Sequence, residues 1–149
     1  MQKKEYSNEN NRDIHFYLAR CTELGMAAGK KGNSPVGAVL VRNQKIISEA
    51  EEAGASKNDV TCHAEIEAIR IAVKTTGTQD LSDCTLYTSH EPCIMCSYVI
   101  RFYKIKKVVF LHKVDFLGGV SSSMPLLTTQ QVPAHWTSPP EILQVQEES

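Results

Sequence analysis

No stretch of this sequence approaches the roughly 18 consecutive apolar residues that a membrane-spanning helix needs. The opening residues, Met1 to Asp13, are polar throughout and lack the apolar centre of a secretory signal. A cytoplasmic protein with no membrane partner is the expectation. Excess charge of one sign is missing too: 16 lysines and arginines stand against 17 acids, for a formal net charge of -1. No global field draws such a chain onto nucleic acid or an anionic bilayer, so any nucleic-acid partner would need a local basic patch. The cysteines (Cys21, Cys62, Cys84, Cys93 and Cys96) are odd in number and come without a secretory signal, which argues against a disulfide framework. Internal repeats, low-complexity tracts and interdomain linkers are absent. At 149 residues and 42% hydrophobic composition, one domain over residues 1–149 with one sizeable core is expected.

What is present begins with an amphipathic helix from about Arg12 to Lys30, where Ile14, Tyr17, Leu18, Cys21, Leu24 and Ala28 recur at helical spacing. "PVGAVLV" and "IISEA", joined by a tight turn, read as a hairpin whose first strand is apolar enough to be buried. "CHAEIEAIRIAV" is a second helix, closed near Gly77. "CTLYTS" is a strand, "CIMCSYVIRFY" a helix with Pro92 in its first turn, and "KKVVFL" a further strand, so the last three form a crossover with parallel strands and the sheet is mixed. Beyond Leu111 the pattern fades into a glycine- and serine-rich loop with a short helix, then a proline-broken tail.

Two short stretches carry chemistry. "PCIMC" places Cys93 and Cys96 on one helix face at its N-terminal turn, where free N–H groups and the helix dipole favour thiolates. Their spacing lets both sulfurs reach one ion. His63, at the start of the preceding helix, offers a neutral nitrogen as a third ligand. Three protein ligands with an open fourth position distinguish catalytic zinc from closed structural zinc, and the open position holds water made acidic by the metal. Glu65, two residues from His63, then stands beside that water as a proton shuttle. Cys62 points away from the face that His63 uses and reads as core.

H-x-E followed by P-C-x-x-C is the signature of zinc nucleobase deaminases. Here it stands as His63-Ala64-Glu65 and Pro92-Cys93-Ile94-Met95-Cys96. The chain resembles the cytidine deaminase-like superfamily, in the branch holding tRNA adenosine deaminases, guanine deaminases and fungal-type cytosine deaminases. The resemblance runs from roughly Ile14 to Leu111 and includes "PVGAVLV", "HAEIEAIR", "LYTSHEPCIMC" and "KKVVF" in the family's order. It implies an α/β fold, a three-layer α/β/α sandwich with a five-stranded mixed sheet. It also implies one Zn2+ per chain between two helix N-termini, hydrolytic deamination of a nucleobase or nucleoside, and a homodimer.

The sequence departs from the family's pattern at the substrate side. An asparagine that commonly reads the ring is replaced by Glu52, with Glu51 before it. An ionised glutamate only accepts hydrogen bonds, so a donor-rich edge is expected, as on a guanine-like or aminotriazine-like ring. The acidic pair that guanine deaminases carry after the last strand is replaced by "GGVSSSM", leaving Asp115 as the nearest acid. Asn33, His90 and Trp136 are further candidates for the pocket wall. Glu91 suits a cap on the Cys93 helix, and Arg101, Lys104, Lys106 and Lys107 suit a solvated helix end. The alternatives are a tRNA-specific adenosine deaminase and, outside the enzymes, a zinc-stabilised module binding a nucleotide or a protein. The tRNA branch of the family ends in a long basic helix where this chain ends in the acidic, proline-broken "SPPEILQVQEES", so RNA is a less favoured partner than a small nucleobase or nucleoside.

Overall fold

The computed structural model describes residues 11–147. Most of the polar N-terminal stretch and the last two residues of the acidic tail lie outside the described residues. In chain order the elements are α1 (Asn11–Lys30), β1 (Gly37–Arg42), β2 (Lys45–Glu51), α2 (Ala64–Thr76), β3 (Cys84–His90), α3 (Ile94–Phe102), β4 (Lys107–His112) and β5 (Glu141–Gln144). The strands lie in one sheet in the order β2-β1-β3-β4-β5. β1 runs antiparallel to β2 and β3, while β3, β4 and β5 are mutually parallel, so the five-stranded sheet is mixed as the resemblance implied.

Side-chain alternation explains the layers. Val39 and Val41 of β1, Tyr87 of β3 and Val109 of β4 share one face, where they pack on Ile14, Tyr17, Leu18 and Cys21 of α1. Their neighbours Ala38, Leu40, Leu86, Val108 and Phe110 point to the other face, against Ala64, Ala68, Ile69 and Ala72 of α2 and Ile100 of α3. Both faces of the central strands are covered, so those strands read as continuous apolar runs rather than alternating ones. The result is an α/β/α sandwich. Cys21, Cys62 and Cys84 are all buried in it as free thiols.

Local chemistry sets the element boundaries. The hairpin turns through Asn43 and Gln44, both at positive φ (50° and 62°), and Arg42 pairs with Lys45, which makes a two-residue loop of the kind that matches strand twist. α2 ends at Gly77, whose left-handed φ of 69° lets its N–H reach the Val73 carbonyl. α1 crosses β1 so closely that a Cβ on Gly37 would collide with the Cys21 carbonyl oxygen.

Three expectations change. The tail forms β5, which pairs with β4 through Lys107 and Glu141, and the region between Leu111 and β5 contains turns but no helix. Pro92 lies before the helix rather than in its first turn, because Cys93 is the N-cap of α3. Arg101 is not solvated: it is 2% exposed, and its guanidinium donates to the carbonyls of Leu126 and Thr129 at 2.9 and 2.8 Å. Trp136 covers it, with the guanidinium carbon 5.9 Å from the ring centroid. This contact straps the segment leading to β5 onto α3.

Candidate active site

The N-termini of α2 and α3 meet at one end of the sheet. His63 is the N-cap of α2 and Cys93 the N-cap of α3, and neither side chain caps its own helix. Both are therefore available to each other. Nδ1 of His63 lies 3.5 Å from Sγ of Cys93 and 3.5 Å from Sγ of Cys96, and all three donor atoms fall within 4.8 Å of one another. Tetrahedral zinc with usual Zn–S and Zn–N bond lengths sets its nitrogen and sulfur ligands roughly 3.6 Å apart. The spacing of the donors fits zinc, and the donor set of one imidazole and two thiols is one that zinc prefers. Among the described residues, this is the group of His, Cys, Asp or Glu side chains placed to hold a metal ion.

The three donors do not titrate alike. The hydrogen bond to Cys96 pulls the Cys93 thiol down to about 4, while the Cys96 thiol is pushed up by that same contact, by burial and by the nearby Glu65. The hydrogen bond to Cys93 raises the His63 imidazole against the opposing effect of burial. Glu65 is 4% exposed, and burial raises its carboxyl above the ordinary range against the hydrogen bonds that hold it. Its Oε1 accepts the Thr88 hydroxyl hydrogen at 2.7 Å, and its Oε2 lies 3.3 Å from Sγ of Cys96. The carboxylate thus stands beside the donor cluster on a fixed support.

A cavity of about 160 Å³ opens on this cluster, and its wall includes Ser34, Val36, Glu52, His63, Glu65, His90, Glu91, Cys93 and Val114. The structure brings Glu52 and His90 to the wall alongside the ligands. Glu52 Oε2 accepts the Ser34 N–H at 3.0 Å and Oε1 accepts the Gly54 N–H at 2.9 Å, which fixes the carboxylate in orientation. The other candidates lie elsewhere. Glu51 faces a neighbouring hollow, where Oε1 meets Lys31 Nζ at 2.9 Å and the buried Oε2 has no hydrogen-bond partner among the described residues. Asn33 borders the same hollow and ties two loops together through Ser56, at 2.7 and 2.9 Å. Asp115 is exposed beside the cavity residue Val114, and Trp136 belongs to the Arg101 strap.

Glu91 does not cap α3. Its two oxygens accept the backbone N–H groups of Val120 (3.0 Å) and Ser121 (2.8 Å) and the Ser121 hydroxyl (2.7 Å), with Val114 N–H at 3.3 Å. Burial pushes this carboxyl up, but the Ser121 hydroxyl and the three backbone donors outweigh it and hold it below the ordinary range. The loop from Val114 to Ser121 thereby closes over the carboxylate. A Cβ on Gly118 would strike the Glu91 carboxylate and one on Gly119 would strike Ser97 Oγ, which is why "GG" stands there. Thr88, Ser89 and Val114 were missed as site residues. The polar pair in "LYTSHEPC", set in an otherwise apolar strand, is the signal that singles out the first two.

The family model for the cytidine and deoxycytidylate deaminase zinc-binding region matches residues 11–112. The chain belongs to this family. It is a zinc-dependent hydrolytic deaminase, and His63, Cys93 and Cys96 are the group able to hold the one zinc ion. The chain is 42% identical over 112 residues to a tRNA-specific adenosine deaminase of Aquifex aeolicus, covering 75% of this chain and 74% of that protein. It is 45% identical over 97 residues to the guanine deaminase of Bacillus subtilis, covering 63% of this chain and 61% of that protein, so the match spans less than two thirds of the relative's length. A solved structure from a study of A-to-I editing by tRNA:A34 deaminases superposes with a TM-score of 0.79 at 28% identity, covering 88% of this chain and 98% of that one. The ranking of RNA below a small molecule is not borne out by these relatives. Net charge reports the whole surface and is silent on a local contact. No helix among the described residues is long and apolar enough to cross a membrane.

Proposed function

We propose that this deaminase acts on a small free amino-heterocycle whose edge presents N–H groups, a guanine-like or aminotriazine-like ring. The observation that carries this reading is Glu52, a buried carboxylate in the same cavity wall as His63 and Glu65. An ionised carboxylate accepts and does not donate, so a ring that offers N–H groups leaves neither partner unsatisfied, whereas one that offers bare acceptors meets repulsion.

His63, Cys93 and Cys96 would hold the zinc. When bound, zinc supplies a nucleophile at neutral pH by acidifying water. Glu65 takes the proton of the attacking water and passes it to the amine of the substrate, so that the C–N bond breaks, a ring carbonyl forms and ammonia leaves. Thr88 steadies Glu65 through the hydrogen bond at Oε1. Glu52 orients the ring, and the Glu91-anchored loop closes the wall at Val114. We place the enzyme in the cytoplasm as a homodimer; the exposed apolar side chains Ile71, Tyr98 and Phe102, on α2 and α3, support the dimer.

A second reading, deamination of adenosine in tRNA, is favoured by a different observation: the likeness to the tRNA:A34 deaminase structure covers nearly all of that chain. Ammonia release from the zinc-loaded protein across guanine, isocytosine, cytosine, adenine, an aminotriazine, their nucleosides and a tRNA anticodon hairpin separates the two. Release from donor-rich free rings, reduced by Glu52→Gln, supports the first reading. Release from the hairpin alone overturns it in favour of the second.

A further inference from the structure

His90 lines the cavity but takes no part in the steps above. Its surroundings decide which ring nitrogen carries hydrogen. Ser89 is 3% exposed, its Oγ accepts the Gly37 backbone N–H at 3.1 Å, and the same Oγ lies 3.0 Å from Nδ1 of His90. A serine hydroxyl has one hydrogen to give. Among the described residues Nδ1 is the acceptor within its reach, and any other arrangement leaves a buried hydroxyl hydrogen unsatisfied. Nδ1 therefore accepts, and the ring hydrogen sits on Nε2, the nitrogen turned away from Ser89. Burial, and then the neighbouring His112 with its ring centroid 5.1 Å away, hold His90 below the ordinary histidine range, which keeps the ring neutral at pH 7. His112 itself is paired with Glu147 at 3.2 Å.

We propose that His90 is a specificity-determining residue whose Nε2–H donates to a carbonyl oxygen on the substrate ring, while Glu52 accepts from the ring N–H. This inference rests on reading the cavity as the pocket of a free base. A fixed donor and a fixed acceptor in one small wall are complementary to a lactam edge, in which N–H and C=O stand side by side. The substrate class narrows accordingly: amino-lactam rings such as guanine or isocytosine are favoured over amino-substituted rings that lack the carbonyl. Aminotriazines without a carbonyl become the poorer substrates of the class proposed above.

The test compares guanine with 2-aminopurine, which lacks the carbonyl and with it the adjoining ring N–H, on zinc-loaded wild type, His90→Leu and His90→Gln. Each variant is read as its ratio to wild type on the same ring, so that the effect of Glu52 cancels, with zinc content and melting temperature measured for each. One neutral hydrogen bond corresponds to about a tenfold change in kcat/KM. His90→Leu is expected to lose about tenfold on guanine, through KM, and nothing on 2-aminopurine, while the amide N–H of His90→Gln restores part of the loss. Equal loss on both rings, or none on either, overturns the proposal and leaves the free-base reading standing. A readout independent of turnover is long-range 15N–1H NMR of the imidazoles. It should show the Nε2–H tautomer at His90 and, with each ring added to saturation of the site, a shift at Nε2 with guanine but not with 2-aminopurine. An Nδ1–H or doubly protonated ring, or identical shifts with both rings, overturns the proposal whatever the activity. Failure to bind or deaminate any free ring removes the reading on which it rests, and the proposal with it.

Discussion

Glu91 is the residue through which the loop beside the cavity is built, so replacing it should disturb stability and site together. Two backbone N–H groups, of Val120 and Ser121, and the Ser121 hydroxyl donate to it within 3.0 Å; the Val114 N–H, at 3.3 Å, contributes less. In Glu91→Ala the hydroxyl can turn elsewhere, but the two amides lose their acceptor. An unsatisfied donor that is fully buried costs about 1–3 kcal/mol; Val120 is half-buried and Ser121 exposed, so water takes up part of the loss and the pair together costs about 1–3 kcal/mol. A domain of this length has total stability on the order of 7–20 kcal/mol, which makes this a substantial share. At about 2–4 °C per kcal/mol for a chain of this size, the midpoint of the zinc-loaded protein should fall by roughly 2–12 °C in calorimetry. Glu91→Gln keeps one acceptor oxygen and should lose about half as much. Amide hydrogen exchange localises the effect: Val120 and Ser121 should lose protection in both variants, ahead of the core strands. A Glu91→Ala protein with wild-type melting and unchanged protection at Val120 and Ser121 would refute the reasoning.

Other perturbations have equally definite signs. Arg101→Met keeps the stem of the side chain but leaves the Leu126 and Thr129 carbonyls without their donor. Urea unfolding should show a loss of about 3 kcal/mol, with faster amide exchange in the 126–144 segment, and an unchanged midpoint would contradict the strap. Glu49 is held below its ordinary value of 4.5 by its hydrogen bond to Arg20, against the opposing effect of burial. Because the folded value is the lower one, this contribution to stability is present in full above pH 4.5 and is lost as pH falls through the folded value. Both partners are more than a third exposed, at 38% and 36%. The effect is therefore at most about 1 kcal/mol: Glu49→Gln should lower stability slightly at pH 7 and converge with wild type as pH falls through the folded value, and a difference that grows on acidification would contradict the assignment.

How much of this was legible in the chain follows from how local each signal is. α1, β1 to β4, α2 and α3 each carry their own periodicity, and the tight hairpin turn and Gly77 marked boundaries within short windows. β5 does not: Glu141–Gln144 has no buried run and becomes a strand by pairing with β4, a partner some 30 residues away in the chain. Arg101 looks like a charge at a helix end because its partners, the carbonyls of Leu126 and Thr129, lie 25 and 28 residues on. Glu91 looks like a helix cap because its donors lie in the 114–121 loop. In the site, His63, Glu65, Cys93 and Cys96 were readable from spacing within two helix starts. The role of Thr88 was not, since its hydroxyl reaches Glu65 from a different element. Glu51 and Glu52 are adjacent in sequence and both border the neighbouring hollow, and that Glu52 alone of the two also reaches the site cavity is a consequence of how the end of β2 sits in the sheet.

Everything proposed for the site turns on Glu65 moving the proton in a zinc-dependent deamination. The direct measurement is ammonia release from guanine by zinc-loaded wild type and Glu65→Ala, with zinc content determined on the same samples. The account predicts one zinc per chain in both proteins and a kcat lower by at least the roughly 10²–10⁴-fold that general acid–base catalysis contributes. Near-normal turnover by the variant with its zinc intact would contradict it.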